Sequence, residues 1–111
     1  MEIVVSTRDE VVVVEPRGRI DSTTSREFGD QLLDLINTGV ASVVVDFSQV
    51  VYISSAGFRI LLIAAKDSAE RNCNFVLCSL SREIYRLFEM GAFADLFRIY
   101  ASREEVVAAA A

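Results

Sequence analysis

The segment Tyr52-Ile53-Ser54-Ser55-Ala56-Gly57-Phe58 sets two hydroxyls directly before a stretch with helical apolar spacing. A helix that starts there leaves its first N–H groups without backbone partners, and its dipole adds about half a positive charge at that end. A phosphate ester on Ser55 would be stabilised by those donors and would bring about −1.5 to −2 charges to an otherwise mild surface. Ser55 is therefore the first candidate acceptor and Ser54 the second. Serine is also among the commonest N-caps, so ordinary capping explains both residues equally simply. Gly57 permits another backbone to approach closely. Phe58 reads either as an apolar anchor at the surface or as core. A second segment, Arg19-Ile20-Asp21-Ser22-Thr23-Thr24, has the same character. Asp21 or Ser22 would cap a first helix, or Asp21 would orient a nearby hydroxyl and repel a phosphate.

Other chemistry is excluded by the residues that are missing. The chain has no His, which removes Ser-His and Cys-His relays and every His metal site. Its single lysine, Lys66, falls on the same expected helix as Ser55, roughly 16 Å further along the axis, so the two cannot form a nucleophile–base pair. No glycine-rich phosphate loop ending in Lys-Ser or Lys-Thr is present. A receiver-type domain would need an early acidic pair and a late lysine, and both are lacking. No enzyme, no metal site and no cofactor is expected. A net charge of −5 argues against nucleic acid and against anionic membrane surfaces. No apolar run is long enough to insert in a bilayer, and the N-terminus does not read as a signal peptide. Cys73 and Cys78 have an odd spacing that puts them on opposite faces of one strand, where they cannot bridge. Unpaired thiols suit a reducing cytoplasm, the expected location.

The elements that must position these residues follow from the pattern of the 111-residue chain, a length that fits one domain. Ile3–Ser6 and Val11–Glu15 are β-branched runs around Thr7–Glu10 and predict a hairpin. Pro16-Arg17-Gly18 interrupts, with a short extension at Arg19–Asp21. Thr24 and Glu27 have capping-box spacing for a first helix whose apolar stripe is Phe28, Leu32, Leu35 and Ile36. Val43–Phe47 reads as a central strand, and Val50–Ile53 leads into the two serines. The second helix turns Phe58, Leu61, Leu62, Ala65 and Ala69 inward. A strand at Asn74–Cys78 follows, then a helix at Ser81–Met90 stopped by Gly91, then a strand at Phe97–Tyr100. Ser102 and Glu105 open a last helix, and residues 107–111 are expected to fray. This alternation predicts a single α/β domain over residues 1–111, with a mixed, mostly parallel sheet of four to five strands and about four helices. Function in such folds sits where strands end and helices begin, at both segments above.

In this order, Gly18-Arg19-Ile20-Asp21, Val45-Asp46-Phe47-Ser48 and Ile53-Ser54-Ser55-Ala56-Gly57-Phe58-Arg59 resemble a STAS domain of the bacterial anti-sigma factor antagonist type. Ser81 to Ala92 resembles that family's stretch through its third helix, so the likeness covers nearly the whole chain. The resemblance implies partner switching. The unphosphorylated antagonist would bind an anti-sigma factor that is also a serine kinase of the histidine-kinase-like ATPase type. Phosphorylation at the start of the second helix would release it, and a PP2C-type phosphatase would reset it. The partner surface implied is Asp21, Ser22 and Thr23 with Ser54, Ser55, Ala56, Gly57, Phe58 and Arg59; for the chain alone, an isolated monomer is the simplest expectation. One departure stands out. Aligned on Gly57, the family's Asp-Ser-Ser/Thr-Gly motif places its Asp on Ser54 and its second hydroxyl on Ala56, which cannot take a phosphate. Ser55 is left as the natural acceptor, and Asp21 and Asp46 are the remaining acidic neighbours.

Two other roles are compatible with the same resemblance. One is a STAS accessory subunit of a lipid-transport ABC complex, holding an ATPase without phosphorylation. The other is a scaffold STAS protein.

Overall fold

The computed structural model describes the backbone through Ala110 and the side chains through Val106; the expectation of a frayed 107–111 concerns residues whose side chains are not described. The chain begins with β1 (Glu2–Arg8) and β2 (Val11–Ile20), joined at Asp9-Glu10, where Asp9 takes a left-handed φ of 56°. They pair antiparallel, from Glu2 opposite Arg17 to Arg8 opposite Val11. α1 (Ser25–Ile36), β3 (Ser42–Asp46), β4 (Val50–Ile53), α2 (Ser55–Glu70), β5 (Asn74–Cys78), α3 (Arg82–Met90), β6 (Arg98–Tyr100) and α4 (Arg103–Ala110) follow, with a 3₁₀ turn at Ala94–Leu96.

The sheet is mixed and mostly parallel, as expected, and has six strands rather than four or five. Its order is β1-β2-β3-β5-β6, and β4 pairs with β2 off that path. The difference arises in β2, which does not stop at Pro16. β3 pairs β2 only through Val14, so the N–H that Pro16 lacks costs no bond in that ladder. At Gly18 (φ +97°) the register shifts, and Arg19 and Ile20 then pair with Tyr52 and Ile53 of β4.

Alternation along the strands sorts two cores. Val12 and Val14 of β2 and Val43 and Val45 of β3 face α1, α2 and α3, and meet Phe28, Leu32, Ile36, Leu61, Ile84 and Phe88. Val44, Val76 and Cys78 face the other way, towards Val106 of α4. Cys73 belongs to the first core and Cys78 to the second, so the two free thiols do lie on opposite faces. Burial pushes both thiols above their ordinary pKa. The stripe of α2 is Gly57, Phe58, Leu61, Ala64 and Ser68, whereas Ala69, expected inward, is exposed. Gly29 of α1 is the contact point between helices, because a Cβ there would sit 2.7 Å from Ile60 of α2. Among the described residues no helix is long and apolar enough to cross a membrane.

The α4 face is held by an ion-pair cluster that sequence reading missed. Arg103 donates to Asp46 Oδ2 at 3.0 Å and to Glu15 Oε1 at 3.2 Å. Asp46, 4% exposed, also accepts from Ser48 N at 2.8 Å, so its carboxylate is bound on both oxygens. Asp46 thus serves structure on the far face of the sheet. Arg103 lies 57 residues from Asp46 and 88 from Glu15 in sequence, in elements that only the folded topology brings together.

Candidate functional site

Parallel pairing of β2 with β4 brings the starts of α1 and α2 side by side. Ser54 N donates to Ile20 O at 2.8 Å, which links the two segments directly. Gly57 makes this approach possible. A Cβ at that position would stand 2.7 Å from Ile53 Cγ1, 2.8 Å from Ile20 Cγ2 and 3.2 Å from Ile20 O. The close approach permitted by this glycine is therefore internal, with the first turn of α2 pressed on the ends of its own strands.

The two serines differ sharply. Ser54 is the N-cap by backbone position (φ −94°, ψ 175°), and its carbonyl accepts from Phe58 N at 3.0 Å. Its side chain makes no capping bond, and Oγ is buried with no hydrogen-bond partner. Ser55 is the first residue of the helix and is exposed. Ala56 is half-buried, Gly57 is buried, and Arg59 is exposed one turn on. Phe58 resolves in favour of core packing. It is 6% exposed, stacks on Phe93 with ring centroids 4.4 Å apart, and meets Phe88 edge-on at 4.8 Å. An apolar anchor at the surface is thereby excluded at Phe58; the ring fixes α2 from beneath.

The neighbouring loop holds itself together. Asp21 Oδ1 accepts from Thr23 N at 3.0 Å and from Thr23 Oγ1 at 2.7 Å. These bonds, the Thr23 hydroxyl first, hold the Asp21 carboxyl below its usual pKa. Thr24 Oγ1 donates to Arg19 O at 2.8 Å and accepts from Asp21 N at 2.9 Å. The capping box expected between Thr24 and Glu27 does not form, because the Thr24 hydroxyl is already engaged in the turn and Glu27 reaches the Met1 amino group instead. Ser22 and Thr23 are exposed at the rim.

A further cation lies beside the site. Arg19 reaches Asp21 Oδ2 at 3.5 Å and lies over the Tyr52 ring, 4.4 Å from its centroid. Arg19 and Tyr52 are partners in the β2–β4 register, so this contact became legible only with that pairing. The surface around Ser55 thus combines an exposed hydroxyl at a helix N-terminus, a loop carboxylate and exposed guanidinium groups at Arg19 and Arg59.

The model of the STAS domain family matches residues 2–106. BtrV of Bordetella bronchiseptica, which carries the name of an anti-sigma factor antagonist, is 29% identical over 109 residues, covering 98% of this chain and 94% of that protein. An anti-sigma factor antagonist from Mycobacterium paratuberculosis superposes with a TM-score of 0.88 at 20% identity, over 97% of this chain and 92% of that one. The phosphorylated form of the Bacillus cell fate determinant SpoIIAA superposes with a TM-score of 0.75 at 15% identity, over 99% of this chain and 100% of that one. The two structural likenesses establish the fold; together with a family match across all six strands, they place this chain in the STAS domain family.

Proposed function

We propose that this chain is an anti-sigma factor antagonist that works by partner switching, with Ser55 as the phosphorylated residue. The observation that carries the reading is the contrast at the start of α2. Ser55 is exposed on the first helical position, while the Ser54 hydroxyl is buried. A kinase needs its acceptor oxygen accessible, so this contrast supports Ser55 over Ser54. The names of BtrV and of the mycobacterial relative support the role of antagonist, and the phosphorylated form of SpoIIAA supports a phosphoryl switch on this fold.

The mechanism follows from charge at a docking surface. Unmodified, the tip of α2 and the Asp21–Thr23 rim form a nearly neutral patch that a partner can cover. A dianion on Ser55 would be received by the free N–H groups of α2, but within an interface it would have to shed water and face any partner carboxylate. Asp21, held ionised by its turn, adds to that repulsion. The partner in this reading is an anti-sigma factor that is a serine kinase of the histidine-kinase-like ATPase type, and a PP2C-type phosphatase restores the binding form. The contact surface is Asp21, Ser22, Thr23, Ser55 and Arg59, with Ser54, Ala56, Gly57 and Phe58 shaping it from below.

Calorimetry with the cognate kinase tests this reading. Ser55→Asp should weaken binding by about tenfold or more, and Ser55→Ala should keep the wild-type affinity. Equal affinities for Ser55→Asp and wild type would refute the switch.

A further inference from the structure

β1 is an edge strand seven residues long, and all of it except Ile3 is exposed. The geometry of its hairpin shows which of its backbone groups are free. Ser42 N donates to Glu10 O, so residue 10 directs its carbonyl towards β3. Alternation then turns Val12 and Val14 towards β3, and Val11, Val13, Glu15 and Arg17 towards β1. Their partners in the register are Arg8, Ser6, Val4 and Glu2. The N–H and C=O groups of Ile3, Val5 and Thr7 therefore point outward from the edge. An open edge strand of this kind is a template for another strand.

The sequence of β1, Glu-Ile-Val-Val-Ser-Thr-Arg, is complementary to itself. A second copy laid antiparallel about a two-fold axis at Val5 pairs Ile3 with Thr7, Val5 with Val5, and Thr7 with Ile3. Every outward group is then used, in three pairs that exchange about two bonds each. The same register sets Glu2 opposite the other copy's Arg8, twice by symmetry, at positions where facing side chains come closest. Shifting the axis to Val4 or Ser6 loses one of the three bonded pairs and both ion pairs. Arg8 has no carboxylate within ion-pair distance among the described residues, whereas Glu2 already has Arg17 at 3.7 Å across the strand on its own face. The second copy would extend that row to Arg8–Glu2–Arg17.

We infer that β1 is a homodimerisation edge, joining two copies of this chain into one continuous sheet through a two-fold axis at Val5. The isolated monomer expected from the sequence becomes the dilute state. The surface uses none of the residues around Ser55, so this inference and the phosphoryl switch stand or fall separately.

Sedimentation equilibrium of the full chain into the millimolar range tests it. Arg8→Glu makes both ends of the strand acidic, and Glu2→Arg makes both ends basic. Each variant alone should self-associate about tenfold more weakly than wild type, since two attractive pairs become repulsive. An equimolar mixture of the two variants should regain dimers, because the two acidic strand ends of one chain then face the two basic strand ends of the other. Val5→Pro removes an outward N–H without touching the ladder to β2 and should abolish the dimer while leaving the fold intact by circular dichroism. A wild-type chain that stays monomeric, a dimer indifferent to these changes, or a mixture that fails to recover would each overturn the inference.

Discussion

The starts of α1 and α2 lie next to each other and are built from similar residues, yet they are wired in opposite ways. At α1, Thr24 does not cap the helix either, but the turn before it is bonded throughout: Asp21 holds Thr23, and Thr24 bridges Asp21 N and Arg19 O. At α2, the Ser54 hydroxyl holds nothing and no side chain caps the helix. A third helix start shows what an ordinary serine cap looks like: Ser81 Oγ accepts from Ile84 N at 3.2 Å. The comparison teaches that serine before a helix does not imply a cap. The α1 loop is a fixed wall, whereas α2 keeps its N-terminal donors and the Ser55 hydroxyl free for an incoming group.

The comparison breaks most completely at Gly57. Gly57→Val puts a branched side chain where even a Cβ falls within 3 Å of Ile53 and Ile20. It should cost about 3 kcal/mol by overpacking, read as a lowered denaturation midpoint, and should push the start of α2 away from Ile20. Thr24→Val keeps shape but removes both bonds of the α1 wall, and should cost about 1–2 kcal/mol in the same measurement. The sharpest contrast pairs two serines. Ser81→Ala should destabilise by about 1 kcal/mol through the lost cap, whereas Ser54→Ala should be neutral or stabilising by up to about 1 kcal/mol, since it removes a buried hydroxyl without a partner. Equal losses at both positions would show that Ser54 caps α2 in solution.

Much of this arrangement was legible in the sequence because it rests on local patterning. Short β-branched and apolar runs located the strands, and of the stripe Phe28, Leu32, Leu35 and Ile36 all but the half-buried Leu35 are fully buried. Ser102 does cap α4, with Glu105 N bonded to its Oγ and the Glu105 carboxylate returning to Ala101 N. What escaped depends on partners far along the chain. The extension of β2 past Pro16 is visible only once β3 is known to stop at Val14 and β4 to take over beyond Gly18. Whether Phe58 lies inside or outside depends on Phe88 and Phe93 arriving from α3 and the turn after it. Thr24 has capping-box spacing to Glu27, but its hydroxyl closes the turn around Asp21 instead. Gly91 does end α3, with a φ of −88°, and the left-handed conformation falls on the next residue, Ala92 (φ 59°).

The measurement that bears most directly on the central claim is a phosphosite map, by intact mass and fragmentation, after the chain is incubated with ATP and the serine kinase proposed as its partner. The account predicts a single phosphate, on Ser55. A phosphate on Ser54, or none on a chain that the kinase binds, would contradict it.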